Sequence, residues 1–216
     1  MEMKRGISAW NVALLSLTVF FASCAKEPLN NLTAEESRIY ITNFDSTVNF
    51  TNFKTYSIVD SVAVINDNKL SGKSLSNYDA QVINSLKSAM QQRGFTLVAR
   101  NAQPDLGMNV SRVINTYTGV INYPDYWDYY DSYYDPYYWG YPGYGYSSPY
   151  SYGVYQIKEG GLSIDLLDLK DAQANGNKIK PVWTALARGT GVFNAANATG
   201  HVQAFFTQSP YLKNNN

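Results

Sequence analysis

The sequence predicts an α+β domain in which a mostly antiparallel sheet carries two helices packed on one face. Three observations support this class. Two stretches have helical apolar spacing, several short stretches alternate apolar residues, and these elements follow the order strand, helix, strands, helix. With 216 residues, of which 45% are hydrophobic, the chain has the length and composition of about one domain with its own core.

The elements follow from local patterns. A strand covers 55–59, with Val62 and Val64 as its extension, and a loop covers 67–73. Ser76 and Asp79 fit a capping box, so a helix is expected to start there, and Gly94 is expected to stop it. Its core face has apolar side chains three or four positions apart: Tyr78, Val82, Leu86, Ala89 and Met90.

The remaining elements are three alternating strands, one short strand over 95–98 and a final helix. The alternating apolar sets are Leu106, Met108 and Val110, then Leu162, Ile164 and Leu166, then Trp183, Ala185 and Ala187. The final helix covers about 195–207, places Val202, Phe205 and Phe206 inward, and ends before Pro210.

The first 23 residues have the features of an export signal. Lys4 and Arg5 precede an apolar run, from position 12 to 22, that is too short to span a bilayer. The run ends in Phe21-Ala22-Ser23-Cys24, which resembles a lipobox although an aliphatic residue is more usual than Phe21. Cys24 is the only cysteine, so it has no partner for an internal disulfide. We expect lipidation of Cys24; an ordinary cleaved signal peptide is the alternative.

Lipidation would divide the chain into four parts. The signal peptide covers 1–23, the lipidated cysteine and a tether cover 24–42, the domain covers 43–208, and a polar tail covers 209–216. Such a protein is expected at the outer membrane, held by its lipid on the periplasmic face or the cell surface. Because 17 basic residues balance 17 acidic ones, nucleic acid is not an expected partner. The expected partners at this location are envelope proteins or glycans.

A low-complexity insertion rich in Tyr, Gly and Pro covers 123–155 and joins two strands. It contains fourteen Tyr, and its many Gly and Pro residues argue against a regular helix or a long strand. Exposed aromatic rings suit glycans or protein partners. The candidate ligand-binding residues are Tyr126, Trp127, Tyr130, Tyr134, Tyr138 and Trp139.

Two other interpretations of the insertion remain. It is either a disordered or loosely packed loop without a binding role, or a metal site built from four aspartates. A calcium loop needs a defined turn and more oxygen ligands than these acids offer, so we predict no metal and no cofactor. The four aspartates are Asp125, Asp128, Asp131 and Asp135.

The sequence contains no catalytic motif, and we predict that the protein is not an enzyme. A hydrolase would need the carboxyl groups of Asp165 and Asp168 to converge across a cleft, and this is the third functional hypothesis. His201 is the only histidine and has no companion residues for a triad or a metal site. Arg112 and Arg188 are expected either to pair with Asp165 or to be exposed.

Three stretches resemble the DUF4136 lipoproteins, a family of domains of unknown function in envelope proteins of Bacteroidota and other Gram-negative bacteria. They are residues 49–56, residues 79–95 with Pro104-Asp105-Leu106, and residues 161–168 with Val182-Trp183-Thr184-Ala185. The resemblance spans roughly 43–208. It implies an outer-membrane lipoprotein without an established activity and offers no catalytic residues to carry over.

We therefore expect a membrane-anchored envelope lipoprotein whose domain is a structural or protein-interaction module. The alternative is glycan or other ligand binding through the exposed Tyr-rich loop.

Overall fold

The computed structural model describes residues 33–115, 121–149, 156–157 and 160–214. The predicted signal peptide and Cys24 lie outside the described residues, as does part of the Tyr-rich insertion. The described residues belong almost entirely to one compact unit, Ala34–Asn216. Within that part of the chain, every helix is too short or too polar to cross a bilayer.

The described residues form eleven strands and four α-helices. The strands are β1 Ile39–Phe44, β2 Thr55–Ile58, β3 Val62–Asn66, β4 Lys69–Ser74, β5 Thr96–Leu97, β6 Leu106–Ile114, β7 Ile121–Asn122, β8 Gly145–Tyr146, β9 Gln156–Ile157, β10 Gly161–Asp168 and β11 Lys178–Arg188. The helices are α1 Asn77–Gln92, α2 Tyr123–Asp128, α3 Tyr130–Tyr133 and α4 Ala198–Gln208. Short 3-10 turns lie at Phe50–Asn52, Arg100–Ala102, Pro136–Trp139 and Ala195–Asn197.

The main sheet has the order β1-β11-β10-β6-β2-β5. The pairs from β1 to β6 are antiparallel, whereas β2 is parallel to both β6 and β5. β3 continues along the same edge of β6 as β2 and is also parallel to it. The chain returns from β3 to β6 through α1, and a crossover of this kind produces parallel neighbours. The predicted α+β class is confirmed, and the sheet is more mixed than predicted.

Helix α1 begins and ends where the sequence predicted. The Ser76 side chain accepts a hydrogen bond from the Asp79 amide, and the Asp79 carboxylate accepts one from the Ser76 amide at 2.9 Å. The helix ends at Gln92, and Gly94 follows in the left-handed conformation with φ of 87°. Four of the five predicted core residues are buried, and Ala89 is half-buried.

Helix α4 packs beside α1 on the same face of the sheet, as predicted. The Ser85 and Thr199 hydroxyls lie 3.1 Å apart between the two helices. The Trp183 ring of β11 lies 5.8 Å from the Phe206 ring of α4. The three predicted inward residues of α4 are all buried.

His201 is a core residue of α4. Its Nε2 lies 2.8 Å from the Val192 carbonyl, which can only accept, so Nε2 carries the proton and Nδ1 accepts from the Tyr40 hydroxyl at 3.0 Å. Burial lowers the pKa of His201. The histidine is therefore a neutral link between α4 and β1.

The domain extends beyond both predicted ends. β1 begins at Ile39 and pairs with β11, so residues 39–42, predicted as tether, belong to the sheet. At the other end, the Trp183 indole donates to Ser209 Oγ at 2.9 Å, and the Asn214 amide group donates to the Phe53 carbonyl at 2.9 Å. The segment predicted as a polar tail is therefore packed against the domain as far as Asn214. Ser209 supplies an acceptor and Asn214 a donor for groups of the core.

The predicted loop over 67–73 is wrong, because β3 and β4 form a hairpin. Asp67 and Asn68 form its turn with φ of 50° and 57°. Two consecutive positive φ values match the twist of a two-residue hairpin turn, and Asp and Asn tolerate them better than most residues.

Candidate functional site

One face of the central sheet is polar although it is buried. The helices cover the face that carries Leu162, Ile164 and Leu166, so the alternate residues of β10 point the other way. On that second face, Asp165 lies between Asn109 of β6 and Thr184 of β11, and Ser163 lies beside Ser111. None of these five polar residues is more than 2% exposed.

The Tyr-rich insertion covers this polar face. We call its folded part, residues 126–146, the tyrosine cover. The Tyr126 hydroxyl donates to Asp165 Oδ2 at 2.6 Å, and the Tyr130 hydroxyl donates to the same oxygen at 3.1 Å. Asn109 Nδ2 donates to the Tyr130 hydroxyl at 2.9 Å. Tyrosine hydroxyls therefore supply the partners that the buried polar sheet face requires.

A third tyrosine completes the network. The Tyr134 hydroxyl donates to the Val110 carbonyl at 3.1 Å and also contacts the Ser111 hydroxyl. The Ser111 hydroxyl in turn lies 3.0 Å from the Tyr126 hydroxyl. Tyr126, Tyr130 and Tyr134 follow one another at intervals of four residues, in α2, at the start of α3 and directly after α3, and the hydroxyls of all three reach the polar face.

Tyr130 is the centre of the aromatic packing in the tyrosine cover. Its ring stacks on Trp127 at a centroid distance of 4.5 Å and an interplanar angle of 18°. It also lies 4.9 Å from the Tyr146 ring, 5.0 Å from the Tyr134 ring and 5.5 Å from the Tyr126 ring. Aromatic pairs in such arrangements stabilise a fold beyond the area they bury.

The tyrosine cover is joined to the sheet at its far end as well. β8 pairs with the start of β11, with Gly145 opposite Lys178 and Tyr146 opposite Ile179. The Trp139 ring lies on Gly107 of β6, where an added Cβ would stand only 3.0 Å from the indole. A side chain at position 107 would require the Trp139 indole and the Leu169 side chain to shift by a few tenths of an ångström.

The prediction that Gly and Pro prevent helices in the insertion is wrong at its start. Pro124 lies in the first turn of α2, where a missing N–H costs no helical hydrogen bond. Asp135 caps the following 3-10 turn through the Tyr137 amide at 2.9 Å, and Asp131 accepts from the Tyr146 amide at 3.0 Å. These two acids hold backbone groups of the cover. Across the described ranges, no group of three or more His, Cys, Asp or Glu side chains is arranged to hold a metal.

The prediction of an exposed aromatic loop is also wrong for most of the candidate ligand-binding residues. Five of the six are at most 8% exposed, and Tyr138 is half-buried. The rings pack together while the hydroxyls of Tyr126, Tyr130 and Tyr134 bond the polar sheet face, so burial satisfies both ends of these three tyrosines. The large aromatic residues that remain exposed in this segment are Tyr129 and Tyr137.

Asp165 is the one acid in the buried network, and burial under the cover changes its acid–base behaviour. Burial raises the pKa of Asp165 to about 7, although hydrogen bonds from Tyr126, Tyr130 and Ser163 act in the opposite direction. Burial also raises the pKa of Tyr130 well above its ordinary range, so its hydroxyl stays protonated and available as a donor.

Pairing with Asp165, one of the two alternatives for Arg112, is wrong. Arg112 lies on the helix face of β6 and forms an ion pair with Asp79 at 3.2 Å. Arg188 ends β11, in register with Gly161 rather than Asp165. Among the described residues, no cation lies within salt-bridge distance of Asp165.

Asp165 and Asp168 do not form the pair of converging carboxyl groups that the hydrolase hypothesis requires. They are three residues apart in β10, whose pairing with β6 is regular, so their side chains point to opposite faces. Asp165 bonds the tyrosine cover, whereas the Asp168 carboxylate accepts from the Asp171 amide at 3.0 Å in the following turn. The two carboxyl groups therefore do not converge on one cleft.

Comparison with known proteins identifies the family. The DUF4136 model, a domain of unknown function, matches residues 41–211. A solved DUF4136 family protein from Bacteroides thetaiotaomicron is 29% identical, with 82% of this chain and 98% of that chain covered and a TM-score of 0.68. No curated protein matches the chain.

Two further solved structures are more distant. A PDZ domain protein from Parabacteroides distasonis is 18% identical with a TM-score of 0.43, and the match covers 82% of this chain but 37% of that one. A PelC dodecamer from Paraburkholderia phytofirmans is 12% identical with a TM-score of 0.37, covering 83% of this chain and 99% of that one. Because the family model matches nearly the whole described domain, the chain belongs to the DUF4136 family.

Proposed function

We propose that this DUF4136 protein is a lipid-anchored lipoprotein of the outer membrane whose domain is a structural or protein-interaction module. The anchor would be Cys24, the only cysteine, which directly follows a basic start, a short apolar run and two small residues. Residues 25–38 separate it from β1 and reach at most ~50 Å even when fully extended. The domain would therefore remain close to the membrane surface.

The observation that supports a module over a catalyst is the use of the polar groups within the fold. The Asp165 carboxyl and the Tyr126 and Tyr130 hydroxyls bond one another, and all three residues are at most 1% exposed. A reacting group must lie within hydrogen-bond reach of its substrate. The tyrosine cover occupies that space, so these residues act on the fold.

A glycan platform made of the six candidate aromatic residues receives no support from this arrangement, because a stacking platform must present its ring faces to solvent. Those faces are largely used inside the cover, as in the Trp127–Tyr130 stack.

Replacing Cys24 by Ser tests the anchor. We expect native protein to be in the membrane fraction and to begin at an acylated Cys24, because each buried methylene contributes ~0.8 kcal/mol and two or three chains hold a protein stably. Cys24→Ser should move most of the protein out of the membrane fraction. Intact-mass spectrometry and fractionation measure both.

Ser23→Ala is the matched control, since it keeps a small residue before the cysteine and should leave membrane association unchanged. An unmodified Cys24 thiol in native protein, or an amino terminus at another residue, would overturn the proposed anchor.

A further inference from the structure

A polar cavity of about 540 Å³ lies where the tyrosine cover meets the segment before β6. Its volume is within the range of small-molecule sites, which is about 300–1,000 Å³. Its walls include two cations, two side-chain amides and two aromatic residues: Arg100, Lys170, Asn101, Gln103, Trp139 and Tyr141. Asp165 is not part of the lining, so this cavity is separate from the buried network.

The two cations of the cavity are available to an anion. Among the described residues, neither Arg100 nor Lys170 has a carboxylate within 4.0 Å. Lys170 Nζ donates to the Asn52 carbonyl at 2.9 Å and keeps two further donors. The Arg100 guanidinium lies 4.2 Å from the centroid of the Tyr138 ring, which fixes its position without neutralising its charge.

The one acid in the lining, Asp105, accepts hydrogen bonds from backbone amides. Asp105 Oδ2 accepts from the Lys54 amide at 2.7 Å and from the Thr55 amide at 3.0 Å. These bonds turn its carboxylate towards the start of β2. The cavity therefore carries a net positive charge in a chain whose overall charge is balanced.

The cavity also has neutral hydrogen-bonding groups. The exposed amides of Asn101 and Gln103 add donors and acceptors at the rim.

We propose that this cavity binds a small sugar that carries one carboxylate or phosphate group. Arg100 and Lys170 hold the anion, while the rim amides of Asn101 and Gln103 bind hydroxyls. The cavity is larger than an inorganic anion needs, and its mixture of cations and neutral hydrogen-bonding groups matches a charged, hydroxylated ring. This inference goes beyond the proposed module and does not depend on Cys24.

Calorimetric titration of the purified protein tests the site with four probes: glucuronate, glucose 6-phosphate, glucose and inorganic phosphate. We expect at least one of the anionic sugars to bind at least ~10-fold more tightly than glucose and than inorganic phosphate. The preferred anionic sugar shows whether the anion is a carboxylate or a phosphate. Arg100→Gln and Lys170→Gln should each weaken that binding by ~10-fold.

Lys178→Gln is the matched control, because it removes the same charge from an exposed position outside the cavity lining. All three positions are exposed, so none of the variants should unfold the domain. The proposal is overturned if neither anionic sugar binds, if inorganic phosphate binds as tightly as both, or if Lys178→Gln weakens binding as much as the cavity variants do.

Discussion

Replacing Tyr130 by Ala is expected to lower the free energy of unfolding by about 4 kcal/mol, the usual cost of removing a large buried aromatic side chain. Tyr130 is 1% exposed and contacts four aromatic neighbours. Its hydroxyl also joins Asn109 to Asp165. A typical domain has 5–15 kcal/mol of stability, so this loss should be large in a denaturant titration.

Two controls separate the ring from the hydroxyl and the buried position from the exposed one. Tyr130→Phe keeps the ring and should cost about 1–3 kcal/mol, because it leaves buried polar groups short of a partner. Tyr137→Ala removes a side chain that is 70% exposed and should change stability by less than about 0.5 kcal/mol. Equal effects of Tyr130→Ala and Tyr137→Ala would mean that the segment is not packed on the sheet.

Replacing Asp165 by Asn is expected to stabilise the domain at high pH and to have little effect at low pH. Burial raises the pKa of Asp165 from its ordinary 3.8 to about 7. The folded protein therefore binds this proton more tightly than the unfolded chain does. The protonated Asp165 carboxyl therefore contributes fully to the free energy of unfolding below about pH 4. This contribution decreases as pH rises from 4 and is lost once pH has passed through about 7.

The expected size of this change follows from the shift. Three pKa units correspond to about 4 kcal/mol between the two pH limits, and the amide of Asp165→Asn does not titrate. Denaturant titrations of both proteins at several pH values between 4 and 8 measure the difference. Asp128→Asn is the control, since it removes an exposed carboxylate from the same segment. A stability difference for Asp165→Asn that does not grow with pH would contradict the burial of this charge.

The helix face of the domain could be predicted because its signals are local. The Ser76–Asp79 capping box, the apolar spacing of α1 and the stop at Gly94 all lie within a few turns of one another. The alternating apolar residues of β6 and β10 likewise identified strands. Each of these patterns reports on its own segment, and the structure places each as predicted.

The tyrosine cover could not be predicted in the same way, because burial there depends on two distant segments. Asn109 and Ser111 alternate with apolar residues in β6, and Ser163 and Asp165 do so in β10, a pattern that normally marks a solvent-facing side. What buries them is the hydroxyl-bearing surface of the insertion. The only local signal was the four-residue interval between Tyr126 and Tyr130, which the abundance of Gly and Pro obscured.

The hairpin of β3 and β4 was missed for a related reason. Its second strand, Lys69–Ser74, is mostly polar and exposed, so it lacks the alternation of a half-buried strand. Its turn residues, Asp67 and Asn68, carried the signal instead. At the chain end, the bonds from Trp183 to Ser209 and from Asn214 to Phe53 join residues far apart in sequence, which no local pattern reports.

The most direct test of the tyrosine cover is the titration of the Asp165 carboxyl carbon by nuclear magnetic resonance, with its signal assigned by its loss in Asp165→Asn. A carboxyl group kept from water by packed tyrosines should titrate with a midpoint near pH 7, because burial raises its pKa. A midpoint near the ordinary value of 3.8 would show that water reaches Asp165 and that the tyrosines do not cover the polar face of the sheet.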